Sequence, residues 1–428
     1  MKKQYFINAN IVDPHNAINE VGGLIISEDG KIEAIGKKVN TNNLPSREKP
    51  IDLKGKYIFP GLVDMRVFVG EPGFEYKENF RTLSNAALSG GVTSVVTMPN
   101  TDPIIDNVSM VDFLRRRGRD KSKINIYPCA SLTKNIEGTN MTEFGLLQKK
   151  GIIAFTDGFK TIQNPRLMSR IMNSAKDLGC LIMQHAEDYE LAKNGMINSG
   201  IIASKLGLSG IPEIAERILI ERDLTLLENT KCRYHISQLS SQKSVEVIKQ
   251  RKEIVKFTSG VSINNLSLNE NDIGDFRTFL KLSPPLRTEE DRLALVQGIK
   301  DELIDVIVSD HKPEDEESKR LTFSQAATGA SGIETLLSLS LELYHNGSLK
   351  LETIIKTLTS NPAKILKIDK GNLSIGNDAD LCIVDLDKPW IVKKEKLISK
   401  SKNTSIEDKK LQGKVLNTFV KGKELFKL

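Results

Sequence analysis

The stretch Phe59-Pro60-Gly61-Leu62-Val63-Asp64-Met65-Arg66-Val67-Phe68-Val69-Gly70-Glu71-Pro72-Gly73 decides the fold. Pro60-Gly61 makes a turn, because proline presets φ and glycine accepts backbone conformations other residues avoid. Residues 62–69 are almost continuously apolar, which fits a strand covered on both faces rather than a half-exposed one. A second Pro/Gly loop closes it. A buried parallel strand opening into a loop is where α/β barrels place their chemistry. The side chains near this strand's end, however, belong to Arg66 and Phe68, and neither binds a metal.

Downstream the same unit recurs. Apolar runs at 93–98, 124–127, 151–155, 181–183, 232–236, 254–257 and 304–308 are interspersed with helical patterns at 80–90, 107–117, 165–178 and 241–252. This alternation predicts an α/β chain with a (β/α)8 TIM barrel over residues 59–366. A doubly wound sheet would want a Gly-x-Gly-x-x-Gly turn after its first strand, and there is none. Short β runs flank the barrel, at 5–7, 23–26 and 31–35 before it and at 371–376, 379–385 and 415–420 after it. Chain ends commonly lie close in space, so residues 1–58 and 367–428 are expected to form one small β-sandwich domain together.

Composition narrows the function classes. The chain has 428 residues, 39% of them apolar and 27% charged, an ordinary globular balance with room for a large barrel and an appended domain. Its net charge of +6 is dispersed, and the 5% of aromatic residues are not interleaved with the basic ones, so no nucleic-acid partner is expected. The densest basic run, 393–410, alternates with Glu, Asp and Ser and reads as a solvated lysine-rich face. Cys129, Cys180, Cys232 and Cys382 are widely spaced with no Cys-x-x-Cys pair, which argues against a thiolate zinc site and points to reduced thiols in a cytoplasmic protein. The N-terminal residues Met1 to Tyr5 lack the apolar core of a signal peptide, and no run reaches the length of a membrane span.

Eight motifs then occur in order. They are Pro60-Gly61-Leu62-Val63-Asp64, Glu71-Pro72-Gly73, Gly90-Gly91-Val92-Thr93, Met98-Pro99-Asn100-Thr101-Asp102-Pro103, Gln184-His185-Ala186-Glu187-Asp188, Pro284-Pro285-Leu286-Arg287, Ser309-Asp310-His311-Lys312-Pro313 and Asn361-Pro362-Ala363-Lys364. With Gly376-Asn377-Asp378-Ala379-Asp380-Leu381 near the end, the chain resembles the cyclic amidohydrolases, specifically type I dihydroorotases, along nearly its whole length. That resemblance implies hydrolysis or closure of a cyclic amide in pyrimidine biosynthesis. It also implies one or two zinc ions held by imidazole and carboxylate ligands on strand ends, with an Asp to move the proton.

Carried over residue by residue, the resemblance implies an altered site. The family's His-x-His on the first strand falls on Arg66 and Phe68, and its substrate-gripping Arg falls on Gly70. A second-site His becomes Gln238, a His pair becomes Asn264-Asn265, and a substrate Asn becomes Ser283. Asp310 stands at the general-base position. Asp157, His185 and Asp310 remain as metal-ligand positions, and Asn100 and His311 as substrate contacts. Scaffolding motifs survive while chemical positions change, so two readings stay open. One is a non-catalytic homologue with no cofactor, acting in an oligomer as a structural partner of aspartate carbamoyltransferase. The other is a metal-dependent dihydroorotase, or a related cyclic amidohydrolase, working with a reduced zinc site. A direct Arg66–Asp310 pair would neutralise the altered site, with Asp157 or His185 as further contributors. His235 reads as a structural core histidine, His15 and His345 as exposed, and Lys160 as a surface lysine.

Overall fold

The computed structural model describes residues 2–43 and 49–428. Met1, where the N-terminal reading began, and residues 44–48, inside the first expected segment, lie outside the described residues. The N-terminal segment supplies strands β1 (Gln4–Asp13), β2 (Ile18–Ile26), β3 (Ile32–Gly36), β4 (Ile51–Asp52) and β5 (Tyr57–Pro60). The chain then enters β6 (Leu62–Val67), whose residues are all buried.

Seven further parallel strands complete a barrel: β7 (Val92–Thr97), β8 (Asn125–Pro128), β9 (Ala154–Phe155), β10 (Leu181–Gln184), and, after the short pair β11 (Ile197–Asn198) and β12 (Gly210–Ile211), β13 (Arg233–Leu239), β14 (Thr258–Ser262) and β15 (Val306–Val308). Hydrogen bonding runs β6-β7-β8 and β15-β14-β13-β10-β9. Two parallel bridges join these arcs, Ala130 with Phe155 and Val67 with His311. The Phe68 amide donates to the His311 carbonyl at 2.8 Å across the second seam. Val63, Met65, Val96, Met183 and Val308 belong to one buried cluster of strand residues, the kind of packed interior a barrel of this size requires.

The chain ends do build one β domain. β16 (Leu381–Ile391), β17 (Lys410–Val420) and β18 (Lys423–Lys427) extend the N-terminal strands into an eight-stranded sheet, ordered β18-β17-β16-β5-β1-β2-β3 with β4 on β1. The junction is the antiparallel pairing of β16 with β5, which sets Cys382 opposite Phe59. Phe6, Leu24, Ile58, Leu381 and Phe419 share its core, drawn from both ends.

Three local expectations are corrected, the simplest being the run 371–376, expected as a short strand, which forms bends and a turn around Gly371 and Gly376. The apolar run 254–257, expected as a barrel strand, lies before β14, which is built from Thr258-Ser259-Gly260-Val261-Ser262. The strand uses small residues because β13 presses on it: a Cβ on Gly260 would stand 2.9 Å from the Ser237 carbonyl oxygen. The basic run 393–410 is not simply a solvated face either. Ser399, Ser401, Asn403, Thr404 and Ser405 are buried as a strap across the barrel loops. Asn403 accepts from the Glu314 amide at 3.1 Å and Ser405 donates to Asn264 Oδ1 at 2.7 Å, so the polar side chains are buried with their partners supplied.

Candidate functional site at the barrel mouth

The pairing of β6 with β7 slips between Asp64 and Val67. Irregularities of this kind re-aim the side chain within them, and here that side chain is Arg66. Asp64 fixes the slip, its Oδ1 accepting from the Arg66 amide at 3.2 Å and from the Ser309 amide at 3.4 Å, with the Ser309 hydroxyl on its other oxygen. Burial pushes the Asp64 carboxyl up to about 6.

Arg66 is 1% exposed and is held from several strand ends. Its Nε donates to Asp310 Oδ1 at 2.9 Å, and its Nη1 donates to Ser237 Oγ at 3.0 Å and to the Gly158 carbonyl at 3.2 Å. The guanidinium carbon lies 5.4 Å from the Phe68 ring centre. Asp310 follows β15 at φ +50°, an uncommon conformation for a non-glycine residue. Burial pushes its carboxyl up against the opposing pull of Arg66. Gln238 lies against that carboxylate, close enough to lower it, though among the described residues its amide atoms meet no partner at full hydrogen-bond geometry. The Arg66–Asp310 pair anticipated as neutralising the site is therefore formed.

A second cation closes the mouth. Lys312 Nζ stands 4.4 Å from the Phe159 ring centre and 5.8 Å from that of Phe68, and the two rings are 6.0 Å apart. Burial lowers the Lys312 ammonium, while Glu314 and Asp310 pull it back up. Sequence reasoning assigned no role to Lys312, Phe159 or Ser237. Lys312 stood inside a recognised motif at a point where a cation is of no use to a metal, and that was the one available signal.

The remaining expected site residues are spread among structural tasks. Asp157 turns away from Asp310: its carboxylate accepts from the Leu132 amide at 2.8 Å and from the Thr133 amide and hydroxyl at 3.1 and 2.6 Å. Burial pushes it up to about 6. His185 Nε2 meets Ser283 Oγ at 3.4 Å, and its buried Nδ1 has no hydrogen-bond partner among the described residues. Burial, reinforced by Arg66 and Lys312, depresses His185 to about 3, so the ring is neutral. Asn100 donates to the Asp157 carbonyl at 3.1 Å. His311 is turned into the wall, its Nδ1 accepting from the Gly332 amide at 3.2 Å and its Nε2 lying 3.7 Å from the Glu78 carboxylate. Asn264 serves the strap through Ser405, and Asn265 donates to the Pro285 carbonyl at 3.0 Å. Gly70 sits at φ +73°, where a Cβ would come 2.8 Å from the Phe74 carbonyl oxygen, so this loop has no room for a side chain at the expected Arg position.

The set Asp157, His185 and Asp310 is thus not assembled. Among the described residues, no three His, Cys, Asp or Glu side chains come together so as to hold a metal ion. His235 and Lys160 keep their plain readings, His235 Nδ1 meeting Thr258 Oγ1 at 2.8 Å and Lys160 reaching the Ile136 carbonyl at 3.3 Å. Among the described residues no helix is long and apolar enough to cross a membrane.

A family described as dihydro-orotase-like matches residues 55–244. The dihydroorotase of Ehrlichia chaffeensis is 40% identical over 99% of this chain and 94% of its own length. That of Syntrophus aciditrophicus is 39% identical over 97% of each. Among solved structures, the L-hydantoinase (dihydropyrimidinase) of Arthrobacter aurescens superposes with a TM-score of 0.87 at 24% identity, covering 100% of this chain and 96% of that one. The dihydropyrimidinase of Brevibacillus agri NCHU1002 gives 0.85 at 20% identity, covering 100% and 95%. These structural likenesses place the fold, a TIM barrel with an appended β-sandwich.

Proposed function

The chain belongs to the dihydroorotase family, and from that premise we propose that its barrel mouth is held by an internal ion pair in place of a catalytic metal. The observation that carries this reading is the 2.9 Å contact from Arg66 to Asp310, the retained general-base position, with Arg66 fully enclosed. A cation bound at Asp310 would have to displace a guanidinium that is permanently charged. Removing one partner of a buried pair costs about 3–5 kcal/mol, because the other charge is left uncompensated. The other expected donors give little in return. Asp157 is satisfied by Leu132 and Thr133, His185 is a single imidazole set against Ser283, and where the family resemblance implies a second imidazole this chain has the amide of Gln238, a poor zinc ligand. The residues present do not fit the zinc that the family resemblance implies, and no hydrolytic step is derived from them.

On this reading the chain is a non-catalytic dihydroorotase homologue of pyrimidine biosynthesis, serving as a structural partner of aspartate carbamoyltransferase. Its support is the combination of an intact scaffold with a rebuilt mouth. Arg287 of the Pro-Pro-Leu-Arg motif, for example, still ties Ser240, Asn198 and the Ile211 carbonyl together at 2.8, 2.8 and 3.1 Å. A second reading, an active dihydroorotase with a reduced metal site, is favoured by the name that relatives at 39–40% identity carry.

Elemental analysis of the purified chain, with an assay of dihydroorotate turnover, separates the two. The first reading expects substoichiometric zinc, no turnover, and co-elution with aspartate carbamoyltransferase at micromolar concentration. One zinc per chain, lost in Asp310→Ala together with turnover, would establish the second. Failure to co-elute would remove the assigned partner while leaving the metal question to the zinc measurement.

A further inference from the structure

On the face opposite the mouth, the N-terminal ends of β10, β13, β14 and β15 surround a groove of about 1000 Å³. Its floor includes Leu227, Val255 and Phe257, and its rim carries Lys231, Lys256, Lys364 and Lys367, all exposed. Among the described residues none of these four lysines is paired with a carboxylate. The carboxylates in the lining are taken: Glu228 by Arg251, and Asp305 by Lys252 at 3.7 Å and by the Ser259 amide at 2.9 Å. Ile254, at the edge, is 61% exposed. It opens the apolar run that the barrel's own seventh strand leaves unused.

We propose that this groove docks an acidic segment of a partner protein, with apolar side chains on the floor and Asp or Glu residues against the lysines. Four uncompensated ammoniums around recessed apolar surface complement that pattern and steer its approach. The volume is at the upper end for a small-molecule pocket and accommodates a few side chains. The lysines come from three separate chain segments, which matches charges spread along a peptide better than one compact anion. The floor is recessed, which a membrane surface would not fill. The proposal is independent of how the mouth is read, since no residue is shared.

The test is fluorescence anisotropy with the full chain and a labelled peptide of alternating glutamate and leucine. Saturable, salt-weakened binding is expected. Replacing the peptide's glutamates by glutamine, or its leucines by glycine, should each weaken binding at least about tenfold, as should the variant Lys256→Glu/Lys364→Gln. Lys176→Glu/Lys205→Glu, exposed lysines outside the groove, should leave it unchanged. Lysine acetylation of the unmodified chain supplies a readout free of folding effects, with the peptide protecting the four rim lysines selectively. Absent saturable binding, equal binding of the glycine peptide, or unprotected rim lysines would overturn the proposal. So would displacement of the peptide by inorganic pyrophosphate, or a preference for phosphatidylserine vesicles that the same variant abolishes, since each assigns the groove to another class of ligand.

Discussion

Arg66 carries a charge that cannot be neutralised by losing a proton into a place 1% exposed, so its surroundings must supply all of its compensation. They do so with one carboxylate, one hydroxyl, one carbonyl and an aromatic face. Arg66→Ala should therefore lower the unfolding free energy by about 3–5 kcal/mol, because Asp310 is left buried and alone. The double change Arg66→Met/Asp310→Leu should recover most of that loss, since apolar residues of similar volume replace such pairs at little cost. Urea unfolding measures both, and a loss below about 1 kcal/mol in the single variant would show that the pair is not what holds the mouth. Part of this site was legible from spacing, which put Arg66 and Phe68 where a strand end meets its loop, and the family resemblance then named Asp310 as a partner. The direction of Asp157 was not legible. Its carboxylate is claimed by two backbone amides of a neighbouring loop, and sequence spacing carries no record of such contacts.

Among the elements, β13 shows how a barrel strand tolerates polar residues. Tyr234, His235, Ser237 and Gln238 are all buried on it, and His235 rests on Thr258. Burial first, and then Arg66, depress His235 from 6.5 to about 3. Its unfolded form takes up a proton below pH 6.5 and its folded form does not, so its contribution to stability falls as pH drops from about 6.5 to about 3. Asp64 and Asp157, raised to about 6, act in the opposite sense above their unfolded value of 3.8, and so flatten the total slope. His235→Gln should remove up to about 1.4 kcal/mol of acid sensitivity per pH unit below 6.5, read from urea midpoints at pH 5, 6 and 7. An unchanged slope would mean that the imidazole is already protonated in the folded chain. Element-level legibility followed the same physics. The helix at 165–178 was visible because its apolar stripe is unbroken. The longest helix, Ile214–Thr230, was missed because Glu216 and Asp223 interrupt its buried face. Each acid has a fixed task, Glu216 accepting from the Ser240 amide at 3.0 Å and Asp223 from the Tyr234 hydroxyl at 2.7 Å.

At the scale of the molecule, the barrel and the two-ended sheet are not separate bodies. One buried cluster contains Phe59, Cys382, Val415 and Val420 of the sheet together with Leu62, Val92, Ile236 and Ile307 of the barrel. Thr418 on β17 donates to the Leu88 carbonyl at 2.7 Å, and in the strap from the C-terminal segment Ser401 donates to the Lys77 carbonyl at 2.7 Å, ahead of the helix that holds Leu88. Chains longer than about 150 residues often unfold through intermediates, domain by domain. Here a domain-wise opening would expose a shared core on both sides, so the whole chain should unfold as one cooperative unit. The single tryptophan makes this measurable. Trp390 lies on β16, donates to the Gly413 carbonyl at 3.1 Å, has Lys414 Nζ 3.4 Å from its ring centre and packs against the shared core, so its fluorescence reports the sheet where it meets that core. Far-UV circular dichroism reports chiefly the barrel's helices. Under urea the two signals should share one midpoint and one slope, the signature of a two-state transition. A tryptophan transition at lower urea than the helical one would mean that the sheet leaves first, and that the barrel closes without the chain ends.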